Sequence, residues 1–438
     1  IAGWVGLAGI GAGIVLYTGG TTFPGFAALL PVASVALVIL AGTTSARFGP
    51  GVLLGTRPFQ FIGLISYSLY LVHWPILQLA QAAYGYYDPL PVWATGLLAA
   101  ASVPVAWLLY RFVEDPPRRA SWLARARPRR SLFAAGAGAA ATAGLAVAAI
   151  AVTTLQPLNA GTTLAEARPT DPPQATPVVA ANLNPGLAAA ADDTPSLYAD
   201  GCQVGYSADM PRPCRHGSGS DTIVLFGDSH AAQWYPAMRR ALDLHQHTLV
   251  TQTKSACPAV DVRLSWSGAP YRACDRWRDA VMKQLRASPP ALVVLADYTH
   301  PDFADSKDEA GQWRRGLERT LAELSSFTRV VMIADTPDLR HDPSVCLSAH
   351  LADAEACARP ASLALDSPGR DATVEVATAT GTPLLDLTDY LCTDVCPPII
   401  GNLLVYRDSH HLTATYAAEL ADPLARQLLP FLPRAGAA

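Results

Sequence analysis

Charge is what this sequence has least of. Only 16% of its 438 residues are charged, and 32 basic side chains stand against 36 acidic ones, a net of −4. With a sequence pI near 6.2, the chain lacks the basic face that a nucleic-acid partner demands, so no nucleic acid is expected among its partners. It also lacks the low hydrophobicity of a disordered chain, since half its residues are apolar. No cysteine precedes Cys202, and neither an internal repeat nor a signal peptide is visible. The chain opens on Ile1, inside an apolar stretch, which predicts that it is incomplete at its N-terminus.

A mean hydropathy of +0.21 is unusual for a soluble enzyme of this length. Its source is five stretches before residue 160, at 1–17, 23–41, 59–84, 91–113 and 132–155, none with a charge through its middle. Each approaches or exceeds the roughly 20 residues that a helix needs to cross a bilayer. Buried helices of a soluble core are the alternative, but such helices rarely stay this long without a polar stripe. Six arginines between the fourth and fifth stretches (118, 119, 125, 127, 129 and 130) predict a cytoplasmic loop. Arg47 and Arg57 fall on the same side, and the loops near Thr21 and Tyr86 carry no basic residue. Everything after the fifth span is then outside, in a multi-pass protein of the plasma membrane with the lipid bilayer as a partner.

All eight cysteines lie in that external part, and neighbours sit close in sequence: 202 with 214, 257 with 274, 346 with 357, 392 with 396. An even set in an oxidising compartment predicts four local disulfides. A zinc site is the rival, but the spacing shows no repeated Cys-x-x-Cys, and no metal is expected. Prolines at 157, 169, 172, 173, 177, 185 and 195 predict a semi-extended tether or loosely ordered extension over 156–200. The domains are thus 1–155, the linker 156–200, and 201–438.

In the last of these, short apolar runs at 222–226, 248–253, 291–296, 329–334 and 383–387 alternate with helical stretches at 230–242, 275–286, 309–326, 367–379 and 414–429. That alternation predicts an α/β fold with a parallel sheet covered on both faces. Ligands bind such sheets beyond the carboxyl ends of their strands, which puts Gly227-Asp228-Ser229-His230 at the active edge. A serine at a strand-to-helix turn has an exposed hydroxyl and a backbone N–H near the positive end of a helix, where an oxyanion is stabilised. It needs an imidazole base fixed by an acid. Asp408 and His411, three residues apart just before the terminal helix, can face one way, with His410 expected to point elsewhere. Alone, Gly-Asp-Ser is often a plain turn and Asp-x-x-His a helix cap with a surface histidine; together, at the first strand and the last helix, they predict a site.

Gly227-Asp228-Ser229-His230-Ala-Ala-Gln-Trp234 and Asp408-x-x-His411-Leu-Thr resemble the first and last blocks of the SGNH hydrolase/acyltransferase superfamily, in the variant fused to membrane acyltransferases. Ile65-Ser-Tyr-Ser-Leu-Tyr-Leu-Val-His-Trp-Pro75 and Tyr110-Arg-Phe-Val-Glu-Asp-Pro-Pro-Arg118 resemble signatures of late helices in acyltransferase-3 membrane proteins, which O-acylate surface polysaccharides. The resemblance implies a multi-domain protein: a transmembrane bundle, of which about five helices are here, then an extracytoplasmic, flavodoxin-like SGNH domain. It implies Ser229 as nucleophile, His411 as base and then acid, and Asp408 as the residue that orients His411. Two features depart from the family. Its third block usually holds Gly-x-Asn-Asp, whereas Leu295-Ala-Asp-Tyr-Thr-His300 has no asparagine. An essential histidine that follows a basic residue early in the membrane domain is also absent.

Oxyanion or substrate candidates are therefore Asp228, Ser255, Asp297 and His300, with the amides of 254–257. In the membrane part, His73 is either functional or bonded to a neighbouring helix beside a Pro75 kink, and Arg111 and Glu114 either pair, meet an anion or anchor the interface. His245 and His247 are expected at the surface, and His230 as support for the turn. Trp234, Tyr235, Trp277 and Trp313 are core fillers or a sugar platform, with core preferred. The activity expected is a membrane O-acyltransferase acting on a cell-surface glycan, with no bound cofactor and acetyl-CoA or another acyl-CoA as donor. An exported carbohydrate esterase and a non-catalytic glycan-binding module are the alternatives.

Overall fold

The computed structural model describes residues 1–17, 25–43, 48–84, 90–120, 128–154, 157–242 and 245–433. The chain divides into two compact units, Ile1–Pro157 and Leu158–Ala438.

In the first unit, helices Ala2–Leu16, Leu29–Gly42, Arg57–Tyr84, Val92–Leu109 and Pro128–Thr154 occupy the five apolar stretches. The fourth continues through a wider turn, Tyr110–Glu114, into Asp115–Arg119. Among the described residues, three helices are long and apolar enough to cross a membrane: Arg57–Tyr84, Val92–Arg119 and Arg129–Val152. The first two stretches form shorter apolar helices, Ala2–Leu16 and Phe26–Gly42. At 1.5 Å per residue, the 15 residues of Ala2–Leu16 reach about 22 Å, less than a 30 Å hydrocarbon core. These two helices pack closely because Gly6 has no side chain: a Cβ there would lie 2.5 Å from the Ser34 carbonyl oxygen. Among the described residues of the unit, most apolar side chains face outward, and only Ile65, Ala106 and Tyr110 form a buried hydrophobic cluster. Outward apolar side chains suit helices whose solvent is lipid. Thr21, Arg47, Tyr86, Arg125 and Arg127, on which the expected orientation draws, lie outside the described residues, as do residues 23, 24 and 155 of the expected spans.

The second unit is built on a mainly parallel sheet. Its strands, in spatial order, are Gln203–Val204, His247–Lys254, Asp221–Gly227, Leu292–Ala296, Arg329–Ile333 and Leu384–Leu385, with Cys214–His216 antiparallel beside His247–Lys254. The five main strands run 2-1-3-4-5, the flavodoxin-like order, and each predicted run lies on one of them. The continuous apolar runs have a direct cause, since both faces are covered. Ile223 and Leu225 pack toward helices Ser229–Ala241 and Ala421–Leu428. Val224 and Phe226 pack the opposite way, against Trp277, Val281, Trp313 and Leu317 of helices Arg272–Ala287 and Glu309–Ser325. Trp234, Tyr235, Trp277 and Trp313 are core, none more than 3% exposed. The terminal helix is interrupted at Leu420, giving Ala414–Glu419 and Ala421–Leu428.

All four local disulfides are present, 202–214, 257–274, 346–357 and 392–396. His247 departs from the surface role expected of it: it opens its strand at 6% exposure.

Residues 158–200 belong to the second unit. They follow the extended path that their prolines favour, yet the path is fixed rather than loose. The Asn184 amide donates to the Asn402 carbonyl and its own carbonyl accepts from the Leu404 amide, and the Asn402 side chain accepts from the Ala167 amide at 2.8 Å. Val179, Leu187 and Ala190 fill a small core with Leu347, Ile399 and Leu404. Asp193 accepts the Ala414 and Thr415 amides, at its carbonyl and carboxylate respectively, and so caps the terminal helix. One short 3₁₀ helix, Leu187–Asp192, forms between Pro185 and Pro195, and the prolines do not prevent burial of the apolar residues between them.

Trp277 fills the sheet–helix space at 0% exposure. Trp277→Ala is expected to cost about 3–5 kcal/mol; urea unfolding followed by circular dichroism would check it, and a loss below 1 kcal/mol would contradict this packing.

Candidate active site

The Asp221–Gly227 strand ends on a residue that must be glycine. A Cβ on Gly227 would meet the Ala296 carbonyl oxygen at 2.0 Å, and Ala296 is backbone of the neighbouring strand. Asp228 then caps helix Ser229–Ala241: one carboxylate oxygen accepts the His230 amide at 2.7 Å, the other the Tyr298 amide at 3.0 Å. Ser229 is the first residue of that helix and half-buried. Its amide and its hydroxyl have no hydrogen-bond partner among the described residues, as expected of a first-turn amide with no acceptor inside its own helix.

The last block lies at the same edge. Gln233, one turn beyond Ser229, accepts the Leu412 amide at 2.8 Å and donates to Thr336 Oγ1 at 3.1 Å. His230 Nε2 and His410 Nδ1 share a hydrogen bond of 2.8 Å, and the His230 and His411 rings lie 4.8 Å apart. Residues 179 to 181 positions apart are thereby brought together. His411 Nδ1 bonds both oxygens of Asp408, at 2.8 and 3.0 Å, which leaves Nε2 as its free nitrogen. That Nε2 is buried without a hydrogen-bond partner.

Burial pushes the His411 imidazole down to about 3 against the pull of Asp408, so it is neutral at pH 7, the form that accepts a proton. Asp408 lies below the usual carboxylate range: burial works against ionisation, and the His411 bond with the nearby His410 and Arg407 outweighs it. Burial pushes Asp228 up to about 6, offset in part by His230. Asp297 stands well above the ordinary range through burial and the neighbouring Asp228 carboxylate.

The secondary candidates divide. Asp228 holds the turn. Asp297 accepts the Ala259 amide at 2.8 Å and has its place beneath the edge. The Ser255 amide is taken by the Val204 carbonyl, its own carbonyl by the Tyr271 hydroxyl, and the Cys257 amide by Lys254. In that segment, the Ala256 amide remains without an acceptor among the described residues, at a left-handed φ of 47°. His300 lies with Tyr298 and Asp335 along one concavity, its Nδ1 3.0 Å from Arg340.

Several residues had escaped sequence reasoning. Asp335 accepts His230 Nδ1 at 2.6 Å and the Thr299 amide and hydroxyl at 2.7 Å each. His410 does not point elsewhere: it stacks on Tyr298 at 4.5 Å between rings and joins His230 and His411. Tyr298 is anchored by its hydroxyl on Asp338 at 2.9 Å. The available signal was position, since Asp335 and Tyr298 each follow closely the carboxyl end of a parallel strand.

In the membrane unit, His73 bonds Leu69 of its own helix at 2.9 Å rather than a neighbouring helix, and the helix continues past Pro75 to Tyr84. Glu114 pairs with Ser68 at 2.7 Å and Arg118 at 2.9 Å, not with Arg111. Arg111 lies over Phe112.

A 2-1-3-4-5 parallel sheet with a serine opening the helix after its first strand, and a His–Asp couple before the last helix, define an α/β domain of the SGNH class. The family described as "SGNH domain (fused to AT3 domains)" matches residues 199–426, just over half the chain, and this chain belongs to it. The acyltransferase domain family matches residues 1–111, within the first unit. Among curated proteins, the peptidoglycan O-acetyltransferase OatA of Listeria monocytogenes serovar 1/2a is 30% identical over 104 residues, 24% of this chain and 15% of that protein. The match thus spans less than a sixth of that relative's length. Among solved structures, the periplasmic domain of a lipopolysaccharide acetyltransferase from Salmonella ser. Paratyphi A aligns with a TM-score of 0.40 and 16% identity, over 48% of this chain and 84% of that one. The chain is a membrane protein of this fused architecture.

Gln233 is the buried link between the two blocks. Gln233→Ala orphans the Leu412 amide and one bond of Thr336 and is expected to cost about 2–4 kcal/mol in denaturant unfolding. A change below 0.5 kcal/mol would show that the link does not hold the His411 loop.

Proposed function

We propose that this chain is part of a membrane O-acyltransferase that places acyl groups, acetyl most simply, on hydroxyls of a cell-surface polysaccharide. The observation that carries the proposal is the His411–Asp408 couple at the same sheet edge as Ser229, with His411 neutral and its Nε2 unpartnered. His411 takes the Ser229 proton as Oγ attacks the acyl carbonyl carbon. The tetrahedral oxygen is held by the unpartnered Ser229 amide, with the Ala256 amide as second donor. His411 returns the proton to the leaving group, and an ester on Ser229 remains. A glycan hydroxyl, deprotonated by His411, then attacks that ester; the Oγ–acyl bond breaks, His411 gives the proton back to Ser229 Oγ, and the glycan carries the acyl group away.

Acyl-CoA on the cytoplasmic side is the proposed donor. The membrane unit would pass the group across the bilayer, with His73, Arg111 and Glu114 as its candidate polar residues. A multi-pass placement in the plasma membrane with the SGNH domain outside fits the four disulfides of the second unit.

Ester content of surface polysaccharide, measured by mass spectrometry in cells that carry the full-length protein, tests this. Ser229→Ala and His411→Ala are each expected to lower the transfer rate by roughly 10³-fold or more, down to the level of a deletion, with the protein still folded. Retained acylation in both would remove the SGNH domain from the mechanism, and a rise in ester content on deletion would assign hydrolysis instead.

A further inference from the structure

Three histidines from two distant parts of the chain, His230, His410 and His411, each offer a ring nitrogen, and the three ligand atoms lie within 4.8 Å of one another. We propose that they form a binding site for one divalent transition cation, zinc by preference, and that the bound ion switches the enzyme off by occupying His411 Nε2. The switch rests on the function proposed above; the binding does not.

The rings are arranged as metal-binding imidazoles are. A ligating histidine usually gives its second nitrogen to a carboxylate, which fixes the ring and aims the first nitrogen inward. Here Asp335 holds His230 Nδ1 at 2.6 Å and Asp408 holds His411 Nδ1 at 2.8 Å, so both Nε2 atoms remain for the ion. His411 Nε2 is buried with no hydrogen-bond partner, a vacant lone pair in a dry place. His410 offers Nδ1, already 2.8 Å from His230 Nε2, and its ring is held flat against Tyr298.

Zinc suits three imidazole nitrogens, each losing any proton it carries on binding, with a fourth position left for water. With Zn–N bonds of about 2.1 Å, tetrahedral ligand nitrogens stand about 3.4 Å apart. The 2.8 Å pair must open slightly, and atoms within 4.8 Å must close by about 1.4 Å at most. Coordination replaces the proton between His230 Nε2 and His410 Nδ1, which passes to solvent or to His410 Nε2. All eight cysteines are in disulfides, so no thiolate competes for the ion. Once its Nε2 lone pair is bound to zinc, His411 can no longer accept the Ser229 proton.

The test uses the whole chain in detergent, stripped with chelator and titrated with Co²⁺ as a visible probe and then Zn²⁺ as competitor. One equivalent of Co²⁺ is expected to give the intense d–d bands of a four-coordinate site, and Zn²⁺ to remove them. His410→Asn and His411→Asn should each weaken binding at least about tenfold, and Asp335→Asn, one atom layer further out, about 10–100-fold; circular dichroism identifies any variant that does not fold, and the others then decide. His350→Asn, exposed and outside the cluster, should leave the isotherm unchanged. Hydrolysis of an aryl acetate should fall in step with zinc occupancy and recover with EDTA. Absence of a stoichiometric Co²⁺ site, or equal affinity in all folded variants, overturns the site. Full occupancy with undiminished hydrolysis overturns the switch alone. If the metal-free chain has no ester activity, the function proposed above fails while the Co²⁺ isotherm still decides the site.

Discussion

The Asp228 carboxylate is the constraint on which the candidate site depends. Buried at 1% exposure, it has two tasks. One oxygen starts the helix that presents Ser229, and the other ties that helix start to the loop after the next strand. Neither bond would form if Gly227 bore a side chain, because the two strands approach too closely there for a Cβ. A glycine without a side chain and an acid with no access to water therefore set the position of a hydroxyl. Burial of that acid is costly, and its tendency to hold a proton reflects the cost.

Around this point, the domain spends polar groups freely. Asp335, Asp338, Gln233, Thr299 and Thr336 are nearly all buried, and each bonds another residue of the edge. A network in which every member is satisfied holds side chains in one arrangement; a half-satisfied one would be worse than an apolar core. The exceptions are informative. His411 Nε2 is one of the groups at this edge left without a partner among the described residues, as are the Ser229 amide and hydroxyl. The same vacancy makes the three histidines a receptive place for a metal ion.

The first unit obeys different physics. Its helices expose Leu, Val, Trp and Phe and bury little between them, which is unstable in water and ordinary in lipid, where association rests on close packing and a few polar contacts. Gly6 against Ser34 is such a packing contact. Ser68 with Glu114 is such a polar contact, and it joins the helix of the first membrane signature to the turn of the second. In the sequence the two signatures stand apart; only the packed helices bring them into contact.

Much was legible in the chain alone. Period and composition located the five main strands and their helices, because strands buried on both faces must be apolar throughout. Local sequence separation sufficed for the disulfides, since cysteines 4 to 17 positions apart meet before distant ones do. Prolines keep most of 158–200 extended, apart from the short 3₁₀ helix Leu187–Asp192, but composition does not reveal that Val179 and Leu187 find a partner surface made by residues near 347 and 400. His410 was misjudged for the same reason: its direction depends on Tyr298 and His230, more than a hundred residues away. The sequence thus determined the elements, the disulfides and the two motif blocks, all governed by near neighbours and by apolar period. Only the tertiary structure decided which buried polar groups face one another, because a hydrogen bond out of water depends on who else is within 3 Å, and no local pattern encodes that.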